Sequence, residues 1–205
     1  MARGSPCIST NVRGSQLLNL EAIAKAPLVT EPVSAFMVPG VLSPVDLAAV
    51  RADFPQIADV GVFCVSELIF GPSFRELIAE LQTPLFQSVI EDKLGVDLSD
   101  KTMTISVSGR SRPKTNGSRL ELMDHFVTCL LYLNDICDDR GGRLRLVWNE
   151  NGRGMEISEI PLCGGTLASF LESDGDPHWY QPSGGELRCL KLRWSLIEAA
   201  DNDAS

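Results

Sequence analysis

Two histidines and a few charged residues beside apolar runs are the places where this chain could do chemistry. In RLELMDHFVTCLLYLND, residues 119–135, Arg119, Glu121, Asp124 and His125 stand just ahead of a strand-like run. A strand has a period of two, so Arg119 and Glu121 share a face while the adjacent Asp124 and His125 do not. A carboxylate or imidazole at the mouth of a buried strand could ligate a metal or move a proton. The plain reading of His125 is a solvated or structural histidine. His178, in DPHWYQP, has the same plain reading, as a loop residue. With two histidines in the chain, a metal site has at most two imidazoles, completed by carboxylates.

A third feature is LRCLKLRW. Arg188, Leu190, Leu192 and Trp194 fall on one face, and Cys189, Lys191 and Arg193 on the other. The first set is the more apolar and is expected to face the core, carrying Arg188 inward. A buried arginine needs an anion, from a carboxylate side chain or from a ligand. The alternative is an arginine at the strand mouth that reaches water.

The elements that must position these residues divide the chain into helices first and strands after. Residues 1–35 carry weak periodicity and several Pro, Gly and Ser, and read as a mobile start followed by an edge segment. In GVLSPVDLAAVRADFPQ, Ser43 can cap a helix, Pro44 fits its first turn, Asp46 suits the dipole and Pro55 stops it. GPSFRELIAELQ offers Ser73 and Glu76 as a capping box. TPLFQSVIEDKLG offers Thr83 as cap, Pro84 at the first position and Gly95 as the end, with Leu85, Val89 and Leu94 on or near one face. From about residue 100 on, KTMTISVSGR, FVTCLLYLN, RLRLVW, MEISEI, TLASFLE and LRCLKLRWSLI alternate with turn clusters such as TNGS, NENGRG and PSGG. NENGRG reads as a hairpin loop or as a flap. Strands so spaced predict an antiparallel sandwich or barrel, and the chain an α+β fold.

Bulk properties bound the function. The chain has 205 residues and a formal net charge of -9, which argues against nucleic acid or an anionic membrane as partner. The alternating Arg110, Arg112 and Lys114 of GRSRPK read as a solvated strand end, with a local basic patch as the alternative. No apolar run reaches the roughly 18 residues of a membrane span, and MARGSPCIST lacks a signal peptide's apolar core. A cytoplasmic protein is expected. Its six cysteines form no C-x-x-C pair and read as buried, reduced thiols rather than zinc ligands. A homodimer through an exposed strand edge is left open, as is the nature of a small-molecule or protein substrate.

From FMVPGVLSP to LKLRW, about four fifths of the chain, the sequence resembles the iron(II)/2-oxoglutarate-dependent oxygenases, in their bacterial prolyl-4-hydroxylase-like branch. The resemblance is carried by GRSR, VTCLLYLN, GGRLRLV, EIPLCGGTLASF, HWYQP and GGELRCLKLRW, in the family's order and spacing. It implies a double-stranded β-helix (jelly-roll) core with N-terminal helices packed on one sheet. Residues 36–198 would form that domain, after an N-terminal segment at 1–35 and before an acidic tail at 199–205. It also implies Fe(II) and 2-oxoglutarate as cofactors. Two histidines and an acid, the first pair as H-x-D, would hold the iron. A cation about ten residues beyond the second histidine would hold the distal carboxylate of 2-oxoglutarate. By this resemblance His178 matches the second iron histidine and Arg188 the 2-oxoglutarate cation. The resemblance also implies that Tyr132, with Thr128 on the same face, would line that pocket.

The H-x-D position falls on Arg119-Leu120-Glu121. The acid is kept in kind as Glu121, and the histidine is replaced by Arg119, which has no lone pair to offer a metal. Trp179 stands where the family has glycine in W-H-G. Three readings stay open. One is a degenerate member that binds a ligand or partner. Another is an active oxygenase with an unusual site, in which His125 and Glu121 join His178. The third is a jelly-roll binding protein without metal history.

Overall fold

The computed structural model describes residues 16–31, 33–59, 61–108, 118–119, 125–134, 143–150, 153–161, 163–171, 177–181 and 188–196. Four helices lie in the first half: α1 (Leu20–Lys25), α2 (Pro44–Ala52), α3 (Pro72–Leu81) and α4 (Pro84–Leu94). Three short strands lie among them: β1 (Leu28–Val29), β2 (Ala35–Val38) and β3 (Val62–Cys64). The second half supplies β4 (Lys101–Ser108), β5 (Ser118–Arg119), β6 (His125–Tyr132), β7 (Arg143–Glu150), β8 (Arg153–Pro161), β9 (Thr166–Leu171), β10 (Pro177–Gln181) and β11 (Cys189–Leu196). A seven-stranded sheet runs β1-β2-β9-β6-β11-β4-β3, and a four-stranded sheet runs β5-β10-β7-β8. Every pairing is antiparallel.

Local signals explain two helices as expected. Ser43 accepts the Asp46 N–H at the start of α2, with Pro44 in the first turn. Thr83 does the same for Phe86 in α4, which ends at Gly95 with φ 68°. The buried face of α4 is Phe86, Ile90 and Leu94. Leu85, expected near that face, is 60% exposed. The capping box expected in α3 does not form. The helix begins at Pro72 with Gly71 as cap residue, so Ser73 already lies inside it. Its N–H is taken by the Asp53 carboxylate at 2.7 Å, from the end of α2. Gly71 is required because a Cβ there would stand 2.2 Å from Asp53 Oδ1. Helix α1, capped by Asn19, lies in the stretch read as a mobile start and edge segment, and the edge segment itself appears as β1. Residues 1–15 lie outside the described residues.

The core lies between the helices and one face of the seven-stranded sheet. Trp194 of β11 stacks on Phe86 of α4, with ring centroids 6.5 Å apart and planes at 22°. Leu190 and Leu192 share its face, and Val127, Cys129 and Leu131 of β6 join them. This is the core face expected for LRCLKLRW. Glu150 pairs with Arg153, so NENGRG is the tip of the β7–β8 hairpin. The reading of all six cysteines as reduced is corrected at Cys163, which is disulfide-bonded to a cysteine outside the described residues. Cys64, Cys129 and Cys189 are free thiols. Among the described residues no helix is long and apolar enough to cross a membrane.

Candidate functional site

The other face of the seven-stranded sheet, turned away from the helices, is the polar one. Strand β11 presents Cys189, Lys191 and Arg193 there, opposite Tyr132, Leu130 and Thr128 of β6. Strand β9 adds Thr166, Ala168 and Phe170 beside the same three β6 residues. Three rows result: Arg193–Thr128–Phe170, Lys191–Leu130–Ala168 and Cys189–Tyr132–Thr166. Tyr132 is fully buried, Thr128 and Thr166 are each 2% exposed, and Lys191 is 5% exposed. A polar face this well covered is a place for a ligand or for an internal network, because bare buried polar groups are costly. Burial pushes the Cys189 thiol up to about 12, with the Lys191 charge acting in the opposite direction. The thiol is therefore neutral at physiological pH and is no nucleophile.

The floor of this face is fixed from behind. Gly165 N–H donates to the Tyr132 carbonyl at 2.7 Å, and Leu133 N–H donates to the Arg188 carbonyl at 2.8 Å. Arg51 of α2 donates from Nε to the Leu133 carbonyl at 2.8 Å and from its guanidinium to the Asn134 carbonyl. Gly164 is wedged against both, since a Cβ would come 2.2 Å from the Asn134 oxygen and 2.5 Å from Arg51 Nη2.

The expected site residues divide between places. Thr128 and Tyr132 share the polar face. Arg188 does not join them: it precedes β11 and its guanidinium lies 5.6 Å over the Phe54 ring, on the helix side. The buried cation beside Thr128 and Tyr132 is Lys191. The alternation of LRCLKLRW already placed Lys191 on the face opposite Leu190. His178, expected in a loop, lies in β10, opposite Val147 of β7. Arg119 of β5 directly opposes Tyr180 of β10. Positions 119 and 178 are thus diagonal neighbours on adjacent strands, about 7–8 Å apart. His125 lies in the other sheet, at the start of β6 and opposite Ser195. Glu121 lies outside the described residues. Among the described residues no three His, Cys, Asp or Glu side chains gather as a metal site would need.

This topology has counterparts among solved structures. A 2OG-Fe(II) oxygenase family oxidoreductase from Burkholderia pseudomallei superposes with a TM-score of 0.50 at 13% identity, over 78% of this chain and 84% of that one. HygX from Streptomyces hygroscopicus, solved with iron bound, gives 0.50 at 13% identity, over 81% and 83%. The chain has the 2-oxoglutarate/Fe(II) oxygenase fold. A prolyl 4-hydroxylase from Phytophthora capsici also gives 0.50 at 15% identity, over 80% of this chain and 59% of that one. No family model and no curated protein matches the chain by sequence. Strands β6, β9 and β11 belong to the seven-stranded sheet, and β10 with His178 to the four-stranded one.

Proposed function

We propose that this chain keeps the oxygenase fold without the oxygenase's iron, and binds a small acidic ligand or a partner rather than converting one. The observation that carries the reading is the pairing of Arg119 with Tyr180, beside His178 on the same strand. By the resemblance, Arg119 holds the place of the first iron histidine. Guanidinium has five donors and no available lone pair. His178 and Glu121 alone would give two protein ligands where a facial triad needs three. The residues do not fit an iron centre. The arginine supplies a fixed positive charge in place of the metal's.

By the resemblance, Thr128 and Tyr132 line the 2-oxoglutarate end of the site, and they share a covered sheet face with Lys191. No nucleic-acid or membrane partner is proposed for so acidic a chain. A cytoplasmic location is proposed with this function. A Cys163 disulfide that persists after acid trapping of intact cells would point instead to an oxidising compartment.

The test is metal analysis of protein purified without chelator, together with an assay for 2-oxoglutarate turnover. The expected result is no stoichiometric iron and no turnover. Stoichiometric iron, with turnover that disappears in His178→Ala, would establish an active oxygenase with an atypical site.

A further inference from the structure

We infer that Cys137 and Cys163 form a reversible disulfide that sets how firmly the β8–β9 turn is held against the end of β6. Cys64, Cys129 and Cys189 are free thiols, so within this chain the bond at Cys163 ends on Cys7 or Cys137. Chain length separates the two. Gly164, next to Cys163, is packed against the Asn134 carbonyl, and Cys137 follows Asn134 by three residues. A three-residue tether reaches about 10 Å at most, which keeps Cys137 close to the roughly 4–7 Å between Cα atoms that a disulfide needs. Cys7 lies nine residues before Gln16, the first described residue, and has a far larger volume to search.

The turn that Cys163 opens is a junction. The Cys163 carbonyl accepts the Thr166 N–H at 3.1 Å, Gly165 N–H donates to the Tyr132 carbonyl at 2.7 Å, and the Gly165 carbonyl accepts the Val41 N–H at 2.8 Å. Gly165 has φ 80° and Gly164 has no room for a Cβ, so both positions call for glycine. Two glycines in a row lose more chain entropy on ordering than other residues would. A covalent tie at the first residue of the turn offsets that, and with Cys137 it closes a loop around the whole β7–β8 hairpin. Cys163 is half-buried, so a small thiol can reach it, unlike the sealed Cys129 and Cys189. Glutathione is the exchange partner. One glutathione thiolate attacks a sulfur of the bond, giving a mixed disulfide and a protein thiolate, and a second glutathione displaces the first. The protein gains two electrons and two protons, and two glutathiones become one glutathione disulfide. Disulfides of proteins in reducing compartments are mostly of this transient kind.

Mass mapping of the full chain, purified without reductant and alkylated before digestion, should recover Cys137 joined to Cys163 and an alkylated Cys7. Excess glutathione should free both thiols and lower the melting temperature by several degrees. It should also speed amide exchange at Gly165 and Val41 about tenfold more than at Leu192 of β11, which marks local rather than global opening. Glutathione disulfide should reverse all three changes. Cys137→Ser and Cys163→Ser should each match the reduced parent and ignore glutathione, while Cys7→Ser behaves as the parent. Mapping and exchange are read on the parent chain, so they decide the matter even where a serine variant fails to fold. A Cys7–Cys163 peptide, exchange at Gly165 that glutathione leaves unchanged or moves only in step with Leu192, a bond that glutathione disulfide does not restore, or glutathione sensitivity that survives Cys137→Ser would each overturn the inference.

Discussion

At the scale of single residues, the decisive feature is a donor type. If Arg119 occupies the first ligand position of a lost triad, Arg119→His returns an imidazole beside β10. The variant should bind Co(II) at least about tenfold more tightly than the parent, since each added first-row ligand contributes strongly to affinity. Arg119→Lys, with no free lone pair at neutral pH, should gain nothing. Cobalt absorption in the visible range reads both variants, and equal affinity of all three proteins would remove Arg119 from the site. Thiol chemistry offers a second residue-scale prediction. Cys64 is exposed, whereas Cys129 and Cys189 are fully buried with thiols pushed up to about 12. Iodoacetamide at neutral pH should label Cys64 in the native protein and reach the other two only in denaturant, as mass mapping would record.

At the scale of elements, the legible parts were those whose causes are local. The caps of α2 and α4 lie within three residues of the N–H groups they satisfy, so Ser43 and Thr83 announce them. The cap of α3 comes from Asp53, which lies 20 residues before the Ser73 N–H that donates to it, and no window of sequence reveals that. Asp53→Ala should cost about 0.5–2 kcal/mol in denaturant unfolding, the usual range for a lost cap. Ser73→Ala, which keeps its N–H, should cost far less, and equal costs would restore the capping-box reading. Strand β10 was obscured by the Pro and Gly that flank it, so His178 read as a loop residue. The alternation in β11 was read correctly, but this strand is buried on both faces. Hydrophobicity therefore identified the helix side, and Arg188 with it, while the polar face carries Lys191. Gly164 ties these elements together, because any side chain there meets the Asn134 carbonyl and Arg51. Gly164→Ala should cost about 1–3 kcal/mol as an overpacked site. A neutral result in thermal melting would mean that the β8–β9 turn can move away from β6.

At the scale of the whole molecule, a chain of net charge -9 folds around a sheet with no acidic residue, and two ionisable thiols are sealed within that sheet. Cys129 donates to Ser169 Oγ at 3.0 Å in the core facing the helices, and Cys189 lies on the opposite face. Burial raises both from 9.0 to about 12. The sign of the pH effect follows. Between those values the unfolded chain releases two protons that the folded chain retains, so rising pH favours unfolding. The stabilising contribution is complete below pH 9.0 and is lost progressively as pH approaches about 12. Urea midpoints should therefore fall above pH 9.0, and the fall should be shallower in a Cys129→Ala, Cys189→Ala double variant. Removing the thiols also leaves small cavities, but that cost is independent of pH and shifts the whole curve without changing its slope. Parallel curves for parent and double variant would show that groups other than these thiols set the alkaline limit of the fold.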